Sequence, residues 1–89
     1  MIKKKRYWLI EFVRMIEETG EFEAEIYPPH SDLLHIYSIL ILHKNSKTYT
    51  IARIYGKKII FVGSLEDEEL YDMVSSREGV IDWLKKYGK

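Results

Sequence analysis

His30, Asp32, His35 and His43 are the nearest thing in this chain to a metal-ligand set. Their spacing does not make one. His35 and His43 fall on one strand face but eight residues apart, roughly 27 Å at strand rise. His30, Asp32 and His35 match none of the short spacings that hold zinc or similar ions. All three histidines are expected at the surface. A second candidate is the alternating series Glu21, Glu23 and Glu25, whose neighbouring carboxylates lie about 7 Å apart on a strand. Acid–base pairs work at such separations, but they need a cleft and one carboxyl raised by burial. Interleaved with Phe22, Ala24 and Ile26, these glutamates instead mark the wet side of an edge strand, where charge discourages strand addition.

Other catalytic signatures are missing. There is no Walker sequence or paired-glycine fingerprint, and no serine has the setting of a nucleophile elbow. Cysteine is absent, which excludes disulfides, thiolate chemistry and Cys-based zinc sites. The chain is therefore expected to be no enzyme and to carry no cofactor or metal.

The middle of the sequence is more informative. Between Leu33 and Gly63 there is no acid at all, although the chain has 14. Net charge is +4 over residues 1–16, −6 over 17–32, +5 over 33–63 and −3 over 64–89. Such segmentation gives a neutral protein electrically opposed surfaces, which orient a partner. Within the cationic segment Tyr49, Arg53, Tyr55 and Lys58 share a strand face, and Lys44, Lys47 and Lys57 lie near them. Aromatics that stack on bases and cations that track phosphates serve nucleic-acid binding. Against that stands a sequence pI near 6.8, where dedicated binders often exceed about 9.

The elements that position these residues follow from pattern and turns. Eighty-nine residues make a single domain, 1–89, with one core. Glu17 to Glu21, ending in Thr19-Gly20-Glu21, has the composition of a three-residue hairpin loop with Gly in the left-handed region. That loop would pair Ile16 with Phe22, Arg14 with Ala24 and Phe12 with Ile26, giving an N-terminal β-hairpin. A helix over the same residues would set Lys3, Lys4, Lys5 and Arg6 at its positive end. Pro28 and Pro29 end the hairpin. Three β-rich runs follow, Leu34–His43, Thr48–Tyr55 and Ile59–Val62, joined by turns at Asn45-Ser46 and Gly56-Lys57. The alternative, Asp32 capping a helix over Leu33–Leu42, is opposed by the β-branched Ile36, Ile39 and Ile41. Ser64 with Asp67, then Ser75 with Glu78, resemble capping boxes and predict one or two C-terminal helices.

The predicted fold is therefore α+β: an N-terminal β-hairpin and a three-stranded antiparallel meander, five strands in all, then one or two helices. Those turns place Tyr37, Ile39, Ile41, Ala52, Ile54, Ile59 and Phe61 on one sheet face. The other face is hardly wetter, with Ile36, Leu40, Leu42, Tyr49, Ile51, Tyr55, Ile60 and Val62 broken only by Ser38, Arg53 and Lys58. A sheet with one face in water alternates cleanly, so this one is expected to be covered on both. Leu42, Tyr49, Ile51 and Tyr55 are the predicted anchors of a protein interface, with Arg53 orienting the partner. That partner is a second copy, giving a homo-oligomer, or another protein. The nucleic-acid alternative uses Lys44, Lys47, Tyr49, Arg53, Tyr55, Lys57 and Lys58.

Composition adds habitat and compartment. The chain has no Gln, no Cys and one Asn, but twelve Ile, ten Lys and ten Glu. Heat degrades amides and thiols and favours ion-pair networks, so thermophilic origin is expected. The apolar run Tyr7–Ile10 is too short for a signal or membrane segment, and a cytoplasmic protein is expected.

Overall fold

The computed structural model describes residues 2–30 and 35–87, with side chains from Tyr7 onward. Along the chain run α1 (Ile2–Glu17), β1 (Phe22–Tyr27), β2 (Ile36–His43), β3 (Thr48–Tyr55), β4 (Lys58–Ser64), β5 (Tyr71–Asp72) and α2 (Arg77–Tyr87). The strands form one antiparallel sheet in the order β1-β2-β3-β4-β5. With β5 in place of the hairpin's first strand, the α+β class and the count of five antiparallel strands agree with expectation. The N-terminal hairpin does not.

Residues 2–17 are helical because their apolar side chains recur at helical spacing. Leu9, Phe12 and Ile16 are fully buried, Trp8 and Val13 pack beside them, and Arg14 is exposed. A strand would have aligned Arg14 with Phe12 and Ile16. Each buried apolar side chain contributes about 1.5–3 kcal/mol, whereas a cation near a helix N-terminus costs about 0.3–1 kcal/mol before salt screening. Burial wins. Gly20 is left-handed (φ +83°), as the loop composition implied, but it ends a helix. The Thr19 and Gly20 amides donate to the carbonyls of Ile16 (3.3 Å) and Glu17 (3.0 Å), satisfying last-turn acceptors as a C-terminal cap does.

The meander is as predicted in β2 and β3, and residues 36–43 are strand rather than helix. His43 pairs with Thr48, the predicted register, although Lys44 to Lys47 form a four-residue loop closed by Lys47 N–H donating to the His43 carbonyl at 2.8 Å. In β4 the register slips. Ile54 pairs with Ile59 but Arg53 pairs with Phe61, so Ile60 is an extra, bulged residue. Val62 turns into the core and Phe61 turns out, the reverse of the predicted assignment. Ile59-Ile60-Phe61-Val62 is apolar throughout, so alternation carries no information about which residue faces which way.

Of the one or two helices expected after the meander, one forms, over Arg77–Tyr87. Residues 65–70 make a loop in which the Glu66 amide donates to Ser64 Oγ (3.2 Å) and the Ser64 amide to the Leu70 carbonyl (2.9 Å). Four successive acids, Glu66 to Glu69, repel one another in a helical turn. The chain then returns as β5, where Gly63 pairs with Tyr71. A Cβ on Gly63 would lie 2.7 Å from Tyr71 Cβ, so this close approach requires glycine. The cap of α2 is Ser76, one residue later than predicted, its Oγ accepting from the Gly79 amide at 3.0 Å.

Both helices pack on the same sheet face. Leu9, Phe12 and Ile16 from α1 and Val80, Trp83 and Leu84 from α2 share one core with Phe22, Ile39, Ile41, Ala52, Ile54, Ile59 and Val62. Arg77 joins the helices: Nη1 donates to Glu11 Oε1 at 2.9 Å, and the guanidinium lies 4.9 Å from the Trp8 ring centroid. Trp83 Nε1 donates to Asp72 Oδ2 at 2.7 Å, fixing α2 to β5. His43 belongs to this core and not to the surface. It is buried, its Nε2 lies 2.6 Å from Thr50 Oγ1, and its ring meets Phe22 edge-on at 5.1 Å.

Two substitutions test this geometry in urea unfolding. Gly63→Ala should destabilise the chain by about 1–3 kcal/mol, because β4 and β5 must separate to admit the methyl group. Lys47, left-handed at φ +60°, bears a backbone cost of roughly 1–2 kcal/mol that glycine removes at an entropic cost of about 0.5–1 kcal/mol. Lys47→Gly should therefore stabilise by roughly 0.5–1 kcal/mol.

Candidate interaction face

With both helices on one side, the opposite sheet face carries no element among the described residues. Strand pairing sets its side chains in rows. Glu23, Leu42 and Tyr49 form one row; Glu25, Leu40 and Ile51 the next; Tyr27, Ser38, Arg53 and Phe61 the third; Ile36, Tyr55 and Lys58 the last. The five predicted interface residues, Leu42, Tyr49, Ile51, Arg53 and Tyr55, are all brought together here. Leu42, Ile51 and Arg53 are half-buried by their neighbours, while Tyr49 and Tyr55 are 37% and 53% exposed.

The face is electrically divided. Its β1 margin is acidic, and a groove of about 420 Å³ runs beside Glu17, Glu23, Glu25, Leu40, Leu42 and Tyr49. Toward β3 it is cationic through Arg53, whose Nη1 donates to Ser38 Oγ at 2.7 Å. At the Tyr27 end lies a half-open, mainly apolar cleft of about 260 Å³, bordered by Tyr27, Pro28, Ile36, Arg53, Ile60 and Phe61.

The predicted nucleic-acid residues are not gathered into one surface. Lys44 and Lys47 sit in the β2–β3 loop, whereas Lys57 and Lys58 sit at the β3–β4 turn, roughly 24 Å away along β3. Tyr49 lies among carboxylates: Glu23 shares its row, and Glu66 accepts the Tyr49 amide through both oxygens at 2.9 and 3.1 Å. A phosphate backbone placed across this face meets acids on one side.

The sheet margins are unlike the face. An antiparallel pairing of β1 with a second β1 about a twofold axis joins only residues of the same face, so glutamate would oppose glutamate in any register using Glu23 and Glu25. β5, at the other margin, has only two residues.

Sequence reasoning missed Tyr27 and Phe61 as members of this face. Tyr27 was legible, since it continues the parity of Glu23 and Glu25; Phe61 was hidden by the bulge. The metal grouping of His30, Asp32 and His35 cannot be placed, because Asp32 is outside the described residues. His35 is exposed and His43 buried at the far end of β2. No helix among the described residues is long and apolar enough to cross a membrane. No protein-family model, no curated protein and no solved structure matches the chain.

Tyr27 Oη donates to Glu25 Oε2 at 2.8 Å. That bond, reinforced by the carboxylate's charge, raises the phenol above its ordinary value of 10.0. Because the folded-state value is raised, the bond's contribution is present below pH 10.0 and is lost as pH rises through the elevated value. Glu25→Gln should return the Tyr27 titration toward the ordinary value, as followed by NMR of the ring carbons.

Proposed function

We propose that this chain is a non-catalytic interaction domain that associates with a second copy of itself through the helix-free face of its sheet. One observation carries the reading: two amphipathic helices cover the same face and leave Leu40, Leu42, Ile51, Tyr49 and Tyr55 on the other. An apolar surface rimmed by charge is the composition of an association site, and the tyrosines and Arg53 are the residue types that anchor one. Growth through the strand margins is opposed by the Glu23 and Glu25 series and by the shortness of β5. The division of the face into an acidic and a cationic side gives two copies complementary charge when they meet in opposed orientation.

Nucleic-acid binding is the second reading, and its support is the aromatic and cationic side of β3. It is the weaker one, because the acids around Tyr49 interrupt that surface. The amide-poor composition accords with a hot habitat, and the domain is offered as a thermophile's module.

Light scattering on the whole chain tests the proposal. The unmutated protein should have at least twice the monomer mass. Ile51→Asp and Tyr55→Asp should reduce it to the monomer with an unchanged far-ultraviolet circular-dichroism spectrum, since neither side chain belongs to the buried core. An unmutated monomer removes the reading. A gel shift at low salt, with a salt slope that becomes shallower after Lys57→Gln and Lys58→Gln, would replace it with nucleic-acid binding.

A further inference from the structure

The Arg53 cleft is a different feature from the apolar rows around Leu40 and Ile51. A guanidinium has five N–H donors in a planar fork, and the one bond it makes among the described residues is to Ser38 Oγ at 2.7 Å. The single ion pair among those residues is Arg77 with Glu11, so Arg53 is half-buried with no carboxylate partner among the described residues. Apolar surroundings strengthen the pull of such a cation on an anion relative to open water.

The walls around that cation are built and held. Phe61 reaches the face only because the bulge at Ile60 turns it outward, and it is steadied edge-on against Tyr71 at 6.2 Å. Bulges often re-aim side chains beside binding sites. Opposite, Tyr27 is anchored to Glu25 at 2.8 Å. Pro28 and Pro29 close the end of the cleft with a stiff backbone. At about 260 Å³, the cleft is just below the roughly 300–1,000 Å³ of pockets for drug-sized ligands. It admits one ring or a short branched chain, but not a nucleotide.

We infer that this cleft binds a small organic acid, whose carboxylate takes the Arg53 fork while its compact aromatic or aliphatic body lies between Tyr27 and Phe61. The fork suits carboxylate bidentately, and prearranged walls lower the ordering cost of binding. This site shares Arg53 with the face proposed above for self-association, but it does not rest on that reading.

The test is phenylacetate titrated into the 89-residue chain, followed by NMR amide shifts. Saturable shifts at Tyr27, Ser38, Arg53 and Phe61 are expected, with a dissociation constant on the order of 1 mM or below. Arg53→Met, and replacement of the ligand by neutral phenylacetamide, should each weaken binding roughly tenfold or more. Phe61→Ala should weaken it too, and serves if Arg53→Met fails to fold. Inorganic phosphate should not compete. Tyr55→Asp, outside the cleft, should bind normally, so that loss of association and loss of binding are separate results. The inference is overturned by the absence of saturation, by equal binding of the amide, or by phosphate binding as tightly as the acid. It is also overturned if a peptide with a C-terminal phenylalanine carboxylate binds more tightly than phenylacetate, which would assign the cleft to a polypeptide terminus.

Discussion

Everything distinctive about this molecule depends on the placement of two amphipathic helices on one side of one sheet. The stripe of Leu9, Phe12 and Ile16 and the stripe of Val80, Trp83 and Leu84 are each too narrow to cover five strands. Side by side they bury the inner face from Phe22 to Val62. Arg77 holds them together by pairing with Glu11 and stacking on Trp8, and Trp83 fixes the second helix to the last strand. An apolar face satisfied in this way leaves none of the described helices for the other one. That Leu40 and Ile51 are only half-buried and Tyr55 is exposed is thus a result of where the helices went.

What the sequence disclosed and what it hid have physical explanations. The β2–β3 register was legible because β-branched residues alternate there with Ser38 and Arg53, and parity survives a change of loop length from two residues to four. The first segment was misread because a glycine in the left-handed region serves a G1 bulge and a helix C-terminus equally well. Arg14, out of place among Phe12 and Ile16 on a strand, was the clue to the helix. Residues 65–70 imitated a helix start because Ser64 and Asp67 stabilise turns by the same side-chain bonds with which they cap helices.

The candidate face shows the same division. Leu42, Tyr49, Ile51, Arg53 and Tyr55 were found because each lies in a strand whose alternation is readable. Phe61 was not, because four consecutive apolar residues in β4 leave the bulge without a signature. The charge segments visible in the sequence acquire a spatial meaning only in the sheet. The acidic run of residues 17–32 becomes the β1 margin, while the cations of residues 33–63 separate into two distant turns and the isolated Arg53.

Glutamates along β1 and a two-residue β5 leave neither margin suited to accepting another strand. In the self-association proposed above, one face per subunit meets its own copy about a twofold axis and consumes itself in the act of pairing. Assembly by that route stops at a closed couple, with no free end from which a fibre could propagate.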